Sequence, residues 1–119
     1  MSLRNLVACV CLAGAFAASS AQAGAVGRPI SDGDRVNAYS VNTYYIDFYG
    51  GEYAEVAIVG DGDTDLDLYV YDENGNLIGS GESYSDVEVV GFTPRWTGTF
   101  IVEVHNLGGV YNQFGIGTN

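Results

Sequence analysis

The stretch GDGDTDLDLYVYDENGNL, residues 60–77, changes character near its middle. Gly60 to Thr64 holds two glycines and two aspartates, residues that favour turns and are poor in strands. From Asp65 the chain alternates, with Leu66, Leu68 and Val70 on one side and Asp65, Asp67, Tyr69 and Tyr71 on the other. A period of two marks a strand with one buried face. Asn74-Gly75 then tolerates positive φ and is a strong signal for a hairpin. The stretch therefore predicts a loop, a half-buried strand and a turn.

The same period continues on both sides. Tyr44, Ile46 and Phe48 alternate with Tyr45, Asp47 and Tyr49, after which Gly50-Gly51 offers a second two-residue turn. Ala54, Val56 and Ile58 form another inward set. A short strand is expected near Leu77-Ile78, and one over Asp86 to Phe92 that Thr93-Pro94 ends, because proline cannot donate to a ladder. Phe100, Val102 and Val104 alternate with Ile101, Glu103 and His105. Gly108-Gly109 turns the chain toward a last strand with Phe114 and Ile116 inward. Gly115 and Gly117 on its other face suggest an edge or a close backbone approach. Many short strands with frequent turns predict an all-β sandwich or barrel, and no helical period competes with them.

The first 23 residues read differently. Arg4, the apolar run Leu6–Ala18 and the small residues of Ala21-Gln22-Ala23 predict a secretory signal cleaved after Ala23. The run is shorter than the roughly 20 apolar residues a membrane helix needs, so no membrane insertion is expected after cleavage. The expected location is secreted or periplasmic. The remaining 96 of 119 residues suit one small domain, divided into a loose acidic lead-in over 24–38 and a β-domain over 39–119. Cys9 and Cys11 both fall in the signal, so the mature chain has no thiol for a disulfide, a zinc site or a nucleophile.

Fifteen acids face only Arg28, Arg35 and Arg95 in the mature part, a formal charge of −12 with no lysine. Such a field disfavours nucleic acid and anionic membranes as partners. It leaves cations, basic proteins and neutral polymers. Fourteen aromatic residues interleaved with the acids argue against disorder.

The acids at 61, 63, 65 and 67 raise the question of a metal. An EF-hand counted from Asp61 fails, because its sixth position is Leu66 instead of glycine and its twelfth is Asp72 instead of glutamate. A solvated acidic face is one reading. The other is a hard cation, calcium first, held by carboxylates of Asp61, Asp63, Asp65 and Asp67. His105 is the sole histidine, and with no G-x-S-x-G or cysteine it lacks a nucleophile to serve. The outward Tyr45, Tyr49, Tyr69 and Tyr71 are better candidates for a ligand-binding face, since tyrosine brings rigid amphipathic area.

Thr64-Asp65-Leu66-Asp67-Leu68-Tyr69-Val70-Tyr71-Asp72 followed by Asn74-Gly75-Asn76-Leu77 resembles the bacterial pre-peptidase C-terminal domain. Thr97-Gly98-Thr99-Phe100-Ile101-Val102-Glu103-Val104 is similar to a later strand of that family, and Phe114-Gly115-Ile116 to its ending. The resemblance implies a jelly-roll-like antiparallel β-sandwich without catalytic activity, similar to the collagen-binding domains of bacterial collagenases. Those relatives use calcium and exposed tyrosines. Their calcium ligands lie partly before the first strand, which brings Asp32 and Asp34 into the candidate set. The expected function is a secreted binding module for an extracellular protein or polysaccharide. The alternative is a structural subunit of an envelope or matrix assembly, and a small hydrolase comes last. Oligomeric state is not legible.

Overall fold

The computed structural model describes residues 24–119, and the expected signal segment and its cleavage site lie outside them. Eight strands run in the order β1 (Ser31–Val36), β2 (Val41–Phe48), β3 (Ala54–Val59), β4 (Leu66–Tyr71), β5 (Leu77–Gly81), β6 (Val87–Phe92), β7 (Gly98–Asn106) and β8 (Asn112–Thr118). No helix occurs among the described residues. Two four-stranded antiparallel sheets form, β1-β8-β3-β6 and β2-β7-β4-β5. This strand order is that of a jelly roll, as the resemblance implied. We call the second sheet, β2-β7-β4-β5, the tyrosine sheet.

The core is the sum of the inward positions. Val56 and Ile58 from β3, Leu66, Leu68 and Val70 from β4, Val102 and Val104 from β7 and Phe114 from β8 are all fully buried. Phe48, Phe92 and Phe100 meet edge to face or tilted at centroid distances of 5.2–6.0 Å and close one end. Such pairs prefer these angles because the ring edge is positive and the face negative. On one flank, Tyr44 of β2 donates its hydroxyl to Asp34 of β1 at 2.6 Å and joins the two sheets. Burial raises the Tyr44 pKa, helped by that hydrogen bond, so the hydroxyl stays a donor.

Three expectations need correction. Residues 24–38 are not a loose lead-in: they carry β1, which pairs with β8 from Ser31↔Gly117 to Val36↔Asn112. Gly24 and Ala25 also dock, with the Ala25 amide donating to the Asn119 carbonyl and Tyr49 donating to the carbonyl of Gly24. Gly50-Gly51 turns the chain but does not make a hairpin, since β2 pairs with β7 and β3 with β6 and β8. Gly115 and Gly117 lie on β8, an interior strand with β1 and β3 as neighbours, so they mark no edge.

The hairpin at Asn74-Gly75 does form, between β4 and β5, with a register shift at Val70/Tyr71. Only Gly75 takes positive φ there, at 86°. Asp72 ties the turn, its Oδ1 accepting from the amides of Asn74 and Asn76 at 2.8 and 2.9 Å and its Oδ2 from the Asn76 side chain.

Candidate cation site and tyrosine face

Asp65 precedes β4 and Asp67 lies within it, and alternation should point both away from the core. Asp67 is nonetheless 93% buried, with a relative exposure of 7%. Glu88 lies beside it. Glu88 is in phase with the inward Val90 and Phe92 on β6, yet it is charged and also only 7% exposed. Gly81, at the end of β5, leaves the space its side chain occupies: a Cβ there would stand 2.8 Å from Glu88 Oε1. Glu88 Oε2 accepts from the Ser83 hydroxyl at 2.5 Å.

Asp65, Asp67 and Glu88 thus bring three carboxylates together, one oxygen of each lying within 4.8 Å of the others. Among the described residues, Asp65 Oδ1 and Asp67 Oδ1 are buried and accept no hydrogen bond. A buried carboxylate oxygen without a partner is costly, and here like charges add to the cost. Burial first, then the charge of Asp65, raises the Asp67 pKa. The donor set is all oxygen and anionic, and oxygens up to about 5 Å apart can share an ion whose metal–oxygen distance is 2.3–2.6 Å. The residues fit a hard divalent cation.

The other aspartates named from the sequence are not brought to this cluster. Asp61 accepts from the Gln113 amide at 2.8 Å and the Asp63 amide at 3.0 Å, so its carboxylate fastens the 60–64 loop to β8. Asp86 fastens the same loop through the Gly62 amide and the Asn112 side chain. Asp63 is exposed. Asp32 and Asp34 lie on β1, opposite Ile116 and Phe114, on the β1–β2 flank. Sequence reasoning missed Glu88, although one signal was present: a charge at an inward position of an alternating strand.

The outward face of the tyrosine sheet is set by register. Tyr71, Ile101 and Tyr45 form one cross-strand row, Tyr69, Glu103 and Thr43 the next, and Asp67, His105 and Val41 the third. Three of the four expected tyrosines share this face. Tyr69 and Tyr71 stack at 6.4 Å, and the ring of Tyr69 lies 4.6 Å from that of His105. Tyr45 is 71% exposed. Tyr49 is placed elsewhere, past the end of β2, where its hydroxyl accepts from the Gly27 amide at 3.4 Å. His105 pairs with Glu103 at 2.9 Å. Tyr69 donates to Glu82 at 3.0 Å, and burial together with this bond raises its pKa. Trp96 packs over Phe100 and donates to Glu73 at 2.7 Å, a structural role at the sandwich corner.

No protein-family model and no curated protein matches this chain. Solved structures do. The pre-peptidase C-terminal domain of a collagenase from Bacillus anthracis superposes with a TM-score of 0.67 at 9% identity, over 85% of this chain and 98% of that one. PliG from Aeromonas hydrophila, a periplasmic inhibitor of g-type lysozyme, gives 0.59 at 9% identity, over 85% and 90%. A mitogen from Yersinia pseudotuberculosis gives 0.54 at 11% identity, over 77% and 85%. At these identities the likeness is one of fold. The chain has the fold of the pre-peptidase C-terminal domain, as its motifs suggested.

Proposed function

We propose that the chain is a secreted or periplasmic, non-catalytic module that binds an extracellular protein or polysaccharide through the tyrosine face and is stabilised by calcium. The observation that carries the binding reading is the gathering of Tyr45, Tyr69 and Tyr71 on one sheet surface. A terminal domain of a collagenase and an inhibitor of a lysozyme share the fold, which supports a role in binding instead of turnover. Calcium is supported by the two unpartnered buried oxygens beside Glu88. When bound, the ion would supply charge neutralisation. Asp65, Asp67 and Glu88 would hold it, with no part in any reaction.

Two measurements test this reading. Immobilised extracellular proteins and polysaccharides should retain the mature domain, and Tyr45→Ala with Tyr71→Ala should lose retention without loss of fold. Equal retention of the variant would refute the face. For calcium, a dissociation constant of about 1 mM and 10 mM ion give roughly 1.4 kcal/mol by linkage. That is about 6–11 °C in melting temperature for a domain of this size. Magnesium and sodium at matched ionic strength must give smaller shifts.

The structural-subunit reading has one observation in its favour. The edge strand β6 exposes Val87 and Val89 at 48% and 50% and carries no lysine or proline to block pairing. Concentration-dependent assembly in a sizing experiment would favour it.

A further inference from the structure

The tyrosine face has a charge pattern that selects among ligands. Its outward and rim positions carry Asp47, Glu82 and Glu103, no arginine or lysine lies anywhere in β2, β4, β5 or β7, and the histidine on this face, His105, pairs with Glu103 through Oε1. The three mature arginines sit elsewhere: Arg28 before β1, Arg35 on β1 and Arg95 after β6. Glu103 occupies the middle of the face, directly beside Tyr69 and one row from Tyr71 and Tyr45. Neighbouring strands are about 4.8 Å apart and diagonal neighbours about 7–8 Å, so one planar cation above Glu103 reaches several rings. The molecule already shows this chemistry once, where the Arg35 guanidinium lies 5.0 Å over the Tyr111 ring.

Covering this surface has a cost that depends on what covers it. Glu103 meets His105 through one oxygen and Glu82 meets Tyr69 and Ser80, so a neutral sugar stacked on the rings would strip the remaining water from these carboxylates and offer no charge in return. A guanidinium replaces that water with charge-assisted hydrogen bonds and attraction to the ring faces. Arginine suits the face better than lysine, because its planar fork matches a carboxylate and stacks on tyrosine.

We infer that the partner is a basic polypeptide that places arginine side chains over Glu103, between Tyr69 and the Tyr71–Tyr45 row. This inference rests on the binding-module reading and names the partner class for the same face. The charge of −12 on the mature chain speeds the encounter, while the face fixes where the partner lands.

The test is a titration of the mature protein with short Arg-Gly, Lys-Gly and Ser-Gly repeat peptides and with a neutral cellulose oligosaccharide. The Arg-Gly peptide should bind, more tightly than Lys-Gly, and weaken as salt rises. Glu103→Gln and Tyr45→Ala should each weaken it by about two- to fivefold, the scale of an exposed cation–ring or charge contact. Glu55→Gln, which removes the same charge from the opposite sheet, should leave it within about 1.5-fold. Equal weakening by Glu103→Gln and Glu55→Gln overturns the inference, since the whole-molecule field alone would then be acting. If Ser-Gly or the oligosaccharide binds as tightly, and Tyr45→Ala weakens it, the binding face stands and the basic partner falls. If nothing binds, the basic partner falls, and retention on the immobilised panel decides the binding-module reading separately.

Discussion

Gly81 and Glu88 occupy one space between them: the side chain missing from the end of β5 is the room in which the β6 carboxylate lies. Without that gap Glu88 could not approach Asp65 and Asp67, and the cluster would fall apart into two ordinary acids and a displaced third.

Gly81→Ala should therefore act on cation binding more than on the fold. The new Cβ would stand 2.8 Å from Glu88 Oε1 and 3.0 Å from Glu88 Cβ, so the acid must move. We expect the calcium-specific rise in melting temperature to drop from about 6–11 °C to under about 2 °C. A full calcium response in this variant would place the ion elsewhere.

Asp67→Asn should have opposite effects with and without the ion. In chelator, removing one of the crowded charges should stabilise the domain by on the order of 1–3 kcal/mol. In calcium the variant should lose the ion-specific gain and fall below the wild type. Chemical denaturation under the two conditions reads both signs. Destabilisation in chelator would mean that the carboxylates are not in conflict.

Leu68→Ala removes a fully buried side chain from the middle of β4. It should cost about 2–5 kcal/mol in a urea titration. A loss under about 0.5 kcal/mol, the surface scale, would reverse the two faces of β4.

Asp72 sets an acid limit on stability. Hydrogen bonds from Asn76, then from Asn74, hold its pKa below the usual carboxylate value, against a smaller opposing effect of burial. A group with a lowered folded pKa stabilises fully above its unfolded value of about 3.9, and that share is lost as pH falls through the folded one. The stability gap between wild type and Asp72→Asn should be constant near neutrality and close only at acid pH. A gap that widens on acidification would contradict the assignment.

Much of the sandwich was legible because burial imposes a period of two wherever one face meets the core. Leu66, Leu68 and Val70, or Phe100, Val102 and Val104, can satisfy only that pattern. β1 escaped because SDGDRV is an edge strand with five of six residues exposed, so no apolar period is written into it. Gly50-Gly51 misled for another reason. Turn chemistry says that the chain reverses, but whether the next strand joins the same sheet depends on partners far along the chain. Asp65 and Asp67 were legible as a pair because they are close in sequence. Glu88 was not, since only the closure of β5 against β6 brings it to them.

The strand order has a kinetic consequence. β4 and β5 are the one consecutive pair that hydrogen-bond to each other, and every other pairing joins segments far apart in sequence. Loop-closure entropy must then be spent before most contacts reward it, and sandwiches of this kind fold in about milliseconds to seconds. Moreover β7 and β8, made last, occupy interior places in the two sheets. Neither sheet can assemble around an incomplete chain. A ribosome that makes this chain from its N-terminal end therefore holds the sandwich open until β7 and β8 emerge.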